Sequence, residues 1–396
     1  MTSASGVRRV ATRVAAATGV VALALAGAGG SGRAPAATRA LPPVHHVFVI
    51  VLENEGYTAT FGNPSADPYL AQTLPAQGVL LSQYFGIGHV SNDNYVAMVS
   101  GQAPNPQNQG DCQVFTDFVG PGVTLAPGQA VGSGCVFPTS VPNLADQLKR
   151  AGRTWKGYME DMGNVPTRES STCGRPALNS QDNTQSAVAG DGYVTRHDPF
   201  VYFHSIIDNP SYCGAHVVAL GSPTAASGLA ADLASTATTP NLSFIVPDLC
   251  DDGHDFPCTN EAPGTTGTSA LNDIDRFLGT WVPKIEASPA FQADGLLAVI
   301  FDESGGPQSD STACCGETPG PNSALPGITG PGGGRTGAVL VSPFIRPGTL
   351  PVATGYNHYS LLGSIEDLFG LARLGMAGTV PATFGPDVFT AFKAGN

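Results

Sequence analysis

Five short, nearly uninterrupted runs of apolar residues constrain the fold of this chain more than any other feature. They are rich in Val, Ile, Leu and Phe, and they cover residues 45–52, 215–220, 242–247, 296–301 and 337–344. Strands that alternate between apolar and polar residues have one solvated face, whereas continuous apolar strands are covered on both faces. The runs therefore predict a sheet that is buried on both sides.

Segments with helical periodicity lie between these runs, at residues 141–152, 270–285 and 359–374. In the second segment Leu271, Ile274 and Leu278 fall on one face of a helix. The segment that contains Trp155 and Tyr158 predicts a further core strand. Because strands alternate with helices, we predict an α/β fold with a doubly wound, mainly parallel sheet sandwiched by helices.

The N-terminal segment has the features of an export signal. Three arginines within the first 13 residues precede a small-residue apolar run that ends in Ala-Gly-Ala. We predict a signal peptide over residues 1–28, a flexible leader over 29–42 and one domain over 43–396. The protein is therefore expected to be secreted or extracytoplasmic, without stable membrane insertion, and both the general and the twin-arginine export routes stay open.

Charge excludes one class of partner. The net charge is −13, with only 18 lysines and arginines. Proteins that bind nucleic acids need a basic surface, so we predict no nucleic-acid partner. An acidic chain can still bind a phosphate ester if metal ions supply positive charge locally.

Eight cysteines in an exported chain predict disulfides, and the C-x-x-C spacing of many zinc sites is absent. Nearness in sequence favours the pairs Cys112–Cys135, Cys173–Cys213 and Cys250–Cys258. Cys314 and Cys315 are adjacent, and they either bond to each other in a strained turn or pair elsewhere.

Polar clusters follow three of the predicted strands. Glu53 and Asn54 follow the first run, "DLCDDGHD" at 248–255 follows the third, and Asp302 and Glu303 follow the fourth. In α/β sheets the ligands bind beyond the carboxyl ends of the strands, so these clusters are expected to share one edge. Carboxylates and imidazoles suit Zn²⁺, Mn²⁺, Mg²⁺ or Ca²⁺. We predict one or two divalent metal ions there.

Ser91 lies at the start of a predicted helix in "GHVSNDNY", and Asn94 follows three residues later. Taken alone, such a serine is better explained as a helix cap. A helix N-terminus also favours an anionic phosphate, and a hydroxyl beside a metal ion becomes a nucleophile. Asn94 would then donate to a phosphoryl oxygen. The G-x-S-x-G pattern of serine esterases is absent.

Eight short motifs, in this order, resemble those of the bacterial phosphoesterase family: "VFVIVLENEGYTATFG", "HVSNDNYVAMVSG", "RTWKGYMEDM", "RHDPFVYF", "IVPDLCDDGHD", "VIFDESGG", "GAVLVSPFIRPGT" and "YNHYSLLGSIEDLFGL". The resemblance runs from about residue 44 to about residue 372. That family contains secreted acid phosphatases and phosphatidylcholine-type phospholipases C, and it belongs to the alkaline phosphatase superfamily. It implies an alkaline phosphatase-like fold and a small phosphate-ester substrate.

The resemblance also implies a role for each matching residue. Metal contacts are implied for Glu53, Asn54, Ser91, Asp252, Asp302, Glu303 and His358. Ser91 matches the nucleophile that forms a phosphoserine intermediate, with Asn94 and His254 as further catalytic residues. Asn94 and His197 match groups that contact the substrate phosphate.

Some positions depart from the family pattern. Val90, Asn92 and Asp93 stand where relatives often have Pro, Leu and Pro. Asp248 and Asp251 stand where Asn is common, so either could replace or supplement Asp252 as a ligand. The loops after the first and fourth strands match the phospholipase pattern poorly, which favours a phosphomonoesterase. A phosphodiesterase or phospholipase C, and a secreted binding protein without catalysis, remain as alternatives.

Overall fold

A seven-stranded sheet forms the centre of the computed structural model, which describes residues 41–62, 65–124, 126–262 and 264–392. In chain order the strands are β1 (His46–Leu52), β2 (Val79–Leu81), β3 (Tyr84–Phe85), β4 (Val119–Val123), β5 (Ala130–Ser133), β6 (Trp155–Met159), β7 (Val217–Ala219), β8 (Leu242–Val246), β9 (Gly295–Phe301), β10 (Ala338–Val341) and β11 (Tyr356–Asn357).

The order of strands in the large sheet is β2-β10-β9-β1-β8-β6-β7. Strand β1 lies at the centre and pairs in parallel with β8 and β9, and β6 pairs in parallel with β7 and β8. Strand β10 runs antiparallel to both of its neighbours, β2 and β9. The predicted α/β fold with a mainly parallel sheet is confirmed. Two small sheets, β11-β3 and β4-β5, lie outside it.

The α-helices of the described residues are α1 (Tyr57–Gly62), α2 (Leu74–Gln77), α3 (Ser91–Ser100), α4 (Leu144–Arg150), α5 (His204–Ile207), α6 (Pro210–His216), α7 (Gly228–Asp232), α8 (Ala270–Ala287), α9 (Pro289–Asp294) and α10 (His358–Phe369). Short 3₁₀ turns cover Asn108–Gly110, Thr195–His197, Pro199–Tyr202 and Gly375–Gly378, and a π turn covers Tyr69–Thr73.

The sheet separates two hydrophobic cores, because successive side chains of a strand point to opposite faces. From β1, Val47, Val49 and Val51 enter the core that contains α3, α4 and α10. Phe48, Ile50 and Leu52 enter the core that contains α8. Because both faces of the sheet are buried, the strands are continuous apolar runs in the sequence.

All five apolar runs contain a strand, and the three helical segments contain α4, α8 and α10. Trp155 and Tyr158 lie in β6 and are buried, as predicted. The short strands β2, β3 and β11 and the β4-β5 hairpin were not indicated by the sequence, because two to five residues carry too little periodicity.

The three predicted disulfides, Cys112–Cys135, Cys173–Cys213 and Cys250–Cys258, are confirmed, and Cys314 and Cys315 bond to each other. The predicted signal peptide over 1–28 lies outside the described residues, as does the leader over 29–42 except for its last two residues. Within the described ranges, no helix has the length and apolar character needed to cross a membrane.

Candidate active site

The loops that follow β1, β8 and β9 meet at the carboxyl edge of the sheet. The backbone N–H of Glu53 donates to the carbonyl of Asp252 at 2.8 Å. The backbone N–H of Asn54 donates to Asp302 Oδ1 at 3.2 Å. The Glu53, Asp252 and Asp302 side chains are all fully buried. The structure therefore brings together the three strand-end carboxylates, which is the arrangement that parallel strands produce.

Helix α3 places Ser91 against this group. The helix begins at Ser91, and all ten of its residues are buried. The residue before it, Val90, has φ 78° and ψ 140°, a conformation that is costly for a β-branched residue and that turns the chain sharply into the helix. The Ser91 hydroxyl donates to Glu53 Oε2 at 3.1 Å. Val90, not Ser91, occupies the cap position, so the capping explanation of Ser91 does not hold.

The side chain of Asn94, predicted to contact phosphate, is hydrogen bonded to the turn before α3. Its Oδ1 accepts the backbone N–H groups of Ile87 and Gly88, at 2.9 and 3.0 Å. Its Nδ2 donates to the carbonyls of Gly88 and Val90, at 3.0 and 3.4 Å. Because both ends of the amide are hydrogen bonded to the backbone, Asn94 fixes the turn that presents Ser91.

Glu303 holds the same turn from the other side. Its Oε2 accepts from His89 Nδ1 at 2.7 Å and from the backbone N–H of Val90 at 2.8 Å. His89 Nε2 donates to the carbonyl of Asp310 at 2.8 Å. Burial lowers the pKa of His89, but the contacts with Glu303 raise it above its ordinary value overall. In this arrangement Glu303, predicted to bind metal, acts as the partner of His89.

His197 lies between two carboxylates. Its Nε2 is 3.3 Å from Glu53 Oε1, and its Nδ1 is 3.2 Å from Asp252 Oδ2. The ring stacks on Tyr95 with 4.9 Å between centroids. Burial, with the charges of Arg196 and His254, lowers the pKa of His197 well below its ordinary value, so the ring is neutral. The sequence predicts His197 beside phosphate, whereas this geometry places it among the strand-end carboxylates.

The donor set fits a metal ion. Several buried atoms lack a hydrogen-bond partner among the described residues: Glu53 Oε1, His197 Nδ1 and Nε2, Asp252 Oδ2 and Asp302 Oδ2. Ligand atoms of Glu53, His197 and Asp252 all lie within 4.8 Å of one another. Burial and mutual repulsion raise the pKa values of the three carboxyl groups. Unpartnered buried charges are costly, and a divalent cation would offset that cost.

His358 contacts the backbone of Asp302 and the side chain of Tyr84. Its Nε2 is 2.6 Å from the backbone carbonyl of Asp302, and its Nδ1 is 3.0 Å from the Tyr84 hydroxyl. Burial lowers the pKa of His358 to about 4. Both ring nitrogens are engaged by protein groups, so His358, predicted as a metal contact, fixes the end of β9 instead.

His254 lies at the rim of the site, with its side chain 30% exposed. Its backbone N–H donates to Asp252 Oδ1 at 2.7 Å, and its Nδ1 is 2.8 Å from Asp255 Oδ1. The Cys250–Cys258 disulfide closes the loop that carries both Asp252 and His254.

A model of the Phosphoesterase family matches residues 64–372 of the chain. The chain belongs to that family. The predicted family is thereby confirmed, and the chain is a phosphoric ester hydrolase.

Two relatives and one solved structure illustrate the similarity. A phosphatidylinositol-3-phosphatase of Mycobacterium tuberculosis is 26% identical over 347 residues, which cover 87% of this chain and 83% of that protein. A phosphate-repressible acid phosphatase of Penicillium chrysogenum is 26% identical over 329 residues, 82% of this chain and 59% of the fungal protein. An alkaline phosphatase superfamily protein from Vibrio parahaemolyticus is 15% identical, with a TM-score of 0.48, and covers 86% of this chain and 71% of its own.

The structure of this phosphoesterase also shows an important residue that the sequence analysis did not single out. Arg196 is 3% exposed, and its Nη2 is 3.1 Å from His254 Nε2. Its Nη1 donates to the carbonyl of Gln185 at 2.8 Å. Its Nε is 3.5 Å from Asp111 Oδ2 without forming a hydrogen bond. The sequence offered one indication of this residue: Arg196 directly precedes His197 in a chain that has only 18 lysines and arginines.

Asp248 and Asp251, the alternative ligands, have other partners. Asp248 Oδ1 accepts the backbone N–H groups of Cys250 and Asp251. Asp251 Oδ1 is 2.6 Å from Arg276 Nη2. Neither belongs to the group formed by Glu53, His197 and Asp252.

Proposed function

We propose that this phosphoesterase is an exported, metal-dependent phosphomonoesterase in which Ser91 is the nucleophile. One observation carries the proposal. The Ser91 hydroxyl, at the N-terminus of α3, donates to one carboxylate oxygen of Glu53. The other oxygen of Glu53 belongs to a group of buried potential metal-ligand atoms that have no hydrogen-bond partner among the described residues. Phosphoryl transfer to serine needs a group that binds the phosphate and a group that activates the hydroxyl. A helix N-terminus and a cation site beside Ser91 would supply them. The four disulfides agree with an oxidising compartment.

Glu53, His197, Asp252 and Asp302 are the residues that would hold the ion. Bound there, a divalent cation supplies positive charge that favours ionisation of a neighbouring hydroxyl and stabilises phosphoryl oxygens. The neutral state of His197 suits it to this role, because a metal ligand must be deprotonated.

Ser91 Oγ attacks phosphorus, so that an Oγ–P bond forms while the bond from phosphorus to the ester oxygen breaks. Glu53 Oε2 accepts the hydrogen bond of the Ser91 hydroxyl, orients Oγ and takes its proton as the Oγ–P bond forms. The leaving alcohol takes a proton from water, and His254, whose side chain is 30% exposed, lies at the rim of the site where it can contact the departing group. Water then cleaves the Oγ–P bond and releases phosphate. Two displacements give net retention at phosphorus.

Arg196 and the turn before α3 complete the proposed site. The Nε of Arg196 pairs with Asp111 Oδ2 at 3.5 Å but makes no hydrogen bond, so it is the buried donor that we assign to a phosphoryl oxygen. Glu303, His89 and Asn94 hold the turn from which Ser91 projects. Catalysis depends on such positioning, because small displacements of a nucleophile cost large factors in rate.

The test is turnover of p-nitrophenyl phosphate and p-nitrophenyl phosphorylcholine by the purified protein, with and without chelator. We expect monoester turnover that chelator removes and a divalent ion restores. Ser91→Ala should lower kcat by about 10³-fold or more, since removal of a nucleophile has effects of this size. The matched control is Ser100→Ala, at the other end of α3, whose hydroxyl donates to the carbonyl of Val96.

Turnover of the diester alone would replace the proposal with a phosphodiesterase or phospholipase C. No metal-dependent turnover of either ester by folded, metal-loaded protein would favour a binding protein without catalysis. Full activity of Ser91→Ala would refute the nucleophile, whichever ester is cleaved.

A further inference from the structure

Helix α3 brings a second side chain to the group around Glu53. Tyr95 follows Ser91 by four positions, so the two residues share one face of the helix. Tyr95 is fully buried, and its ring lies parallel to the imidazole of His197, with 4° between the planes and 4.9 Å between the centroids. The proposed reaction gives this residue no role.

No hydrogen bond fixes the plane of the His197 ring. Both ring nitrogens are buried, and neither has a hydrogen-bond partner among the described residues. Nδ1 is 3.2 Å from Asp252 Oδ2 and Nε2 is 3.3 Å from Glu53 Oε1, but these contacts lack hydrogen-bond geometry. A histidine that binds a metal ion is usually oriented by a hydrogen bond from its other nitrogen, so the orientation of His197 has another source.

The parallel contact with Tyr95 is that source. The second ring contact of His197 within the described ranges is with His254, at 6.0 Å between centroids and tilted by 59°. Rotation of the imidazole out of its present plane would break the stack on Tyr95. The Tyr95 ring lies in a close-packed core and cannot follow such a rotation.

The backbone that carries His197 is held by the same helix. Asn92 Nδ2 donates to the carbonyl of Arg196 at 3.1 Å. Arg196 directly precedes His197 in a short 3₁₀ turn. Asn92 therefore fixes the position of the turn, whereas Tyr95 fixes the direction of the imidazole.

The Tyr95 hydroxyl is a buried donor that makes no hydrogen bond. It interacts electrostatically with Glu53 without hydrogen-bond geometry. Burial raises the pKa of this hydroxyl well above its ordinary value, and the charges of Glu53, Asp302 and Asp252 raise it further, so it keeps its proton. Because the hydroxyl is bonded to nothing, its removal breaks no hydrogen bond of the site. The ring, by contrast, contacts His197 directly.

We propose that Tyr95 is a positioning residue of the cation site: its ring holds the imidazole of His197 in the orientation that binds the ion, at a fixed place relative to Ser91. This inference rests on the proposed function, because it takes His197 as a ligand of the divalent ion. Tyr95 acts through His197. An aliphatic side chain at this position would fill part of the space but would leave the imidazole free to rotate.

The test is the dissociation constant of Zn²⁺, measured on metal-stripped protein by competition with a chromophoric chelator. Tyr95→Leu should weaken Zn²⁺ binding about tenfold or more, because groups that orient a metal ligand have effects of this size. Tyr95→Phe keeps the ring and should bind Zn²⁺ as tightly as the unaltered protein. The absorption spectrum of bound Co²⁺, which reports ligand geometry, should change in Tyr95→Leu and stay the same in Tyr95→Phe.

Phe137→Leu is the matched control, because it removes another buried ring of the same core, one that stacks on Phe118 and Phe203. It should lower the melting temperature, as Tyr95→Leu does, without weakening Zn²⁺ binding. If Tyr95→Leu does not fold, Tyr95→Met takes its place with the same expected result.

Equal Zn²⁺ affinity in Tyr95→Leu and the unaltered protein would overturn the inference and leave the cation site standing. An equal loss in Tyr95→Phe would overturn it as well, since the hydroxyl would then be responsible, and so would an equal loss in Phe137→Leu. Asp302→Asn locates the ion, because it should lose Zn²⁺ binding. If the unaltered protein binds no Zn²⁺, or if Asp302→Asn binds it equally well, the proposed cation site fails and this inference fails with it.

Discussion

His89 and Glu303 form a buried ion pair, with 2.7 Å between Nδ1 and Oε2, and the same carboxylate oxygen accepts the backbone N–H of Val90 at 2.8 Å. This pair ties the loop after β9 to the turn before α3. It therefore connects the carboxylate edge of the sheet to the residue that is proposed to attack phosphorus.

Glu303→Gln should lower kcat by about 10- to 100-fold with a smaller effect on KM, because Ser91 would lose its fixed position. Steady-state kinetics with p-nitrophenyl phosphate measures both constants. Glu286→Gln in α8, a carboxylate that contacts none of the proposed site residues, should leave them unchanged. An unaltered kcat in Glu303→Gln would mean that the turn holds its shape without this carboxylate.

Metal loading should raise the melting temperature of stripped protein, since the unpartnered atoms of Glu53, His197, Asp252 and Asp302 gain a partner only in the folded state. A ligand at 100 times its Kd adds about 2.7 kcal/mol to the free energy of unfolding. Differential scanning fluorimetry with Zn²⁺ and Mn²⁺ measures the shift. Asp302→Asn should lose most of it, and an equal shift in that variant would place the ion elsewhere.

Arg196→Gln should weaken inhibition by inorganic phosphate about tenfold and raise KM for a monoester, because a buried charged donor to the phosphoryl group is lost. The inhibition constant of phosphate is the direct measurement. Arg373→Gln, which removes a surface ion pair with Asp367, is the control for loss of one positive charge. If both variants bind phosphate as the unaltered protein does, Arg196 has only a structural role.

Glu366 should make the protein less stable as pH rises. Burial raises the pKa of this carboxyl group from 4.5 to about 8. Between those values the folded protein keeps a proton that the unfolded chain releases, so the free energy of unfolding falls with increasing pH, by roughly 5 kcal/mol in total. Denaturant unfolding at pH 5 and pH 8 measures the fall.

The free energy of unfolding of Glu366→Gln should fall less between pH 5 and pH 8, because glutamine is uncharged at both pH values. It also keeps the acceptor for the backbone N–H of Leu374. The free energy of unfolding of Asp387→Asn, which removes an exposed acceptor for the Thr354 and Tyr356 hydroxyls, should fall as much as that of the unaltered protein. An identical pH dependence in Glu366→Gln and the unaltered protein would contradict the role of this buried carboxyl group.

The sequence is sufficient to predict which segments carry the site, because apolar runs mark buried strands and parallel strands end at one edge. Glu53, Asp252 and Asp302 meet for that reason. The direction of β10 was not predictable, since an apolar run of four residues has the same composition whether it runs parallel or antiparallel.

The contacts of individual side chains could not be predicted from the sequence either. Asn94 and His358 have the expected positions in the chain, but their polar atoms contact backbone groups and, for His358, also the Tyr84 hydroxyl. Arg196 reaches His254 across 58 positions of sequence, and no local pattern encodes such a contact. Motifs thus predict which loops form a site, whereas packing decides which atoms face the ligand.

The central position of β1 has a consequence for how the protein is made. Strand β1 is synthesised first in the sheet, yet both of its neighbours, β8 and β9, come late in the chain. Asn54 and Asp302, which are hydrogen bonded, are 248 positions apart. Contacts of such separation form slowly and only once both partners are available. A nascent chain therefore carries no working site until β9 has left the ribosome, and translation that stops before β9 yields an inert product.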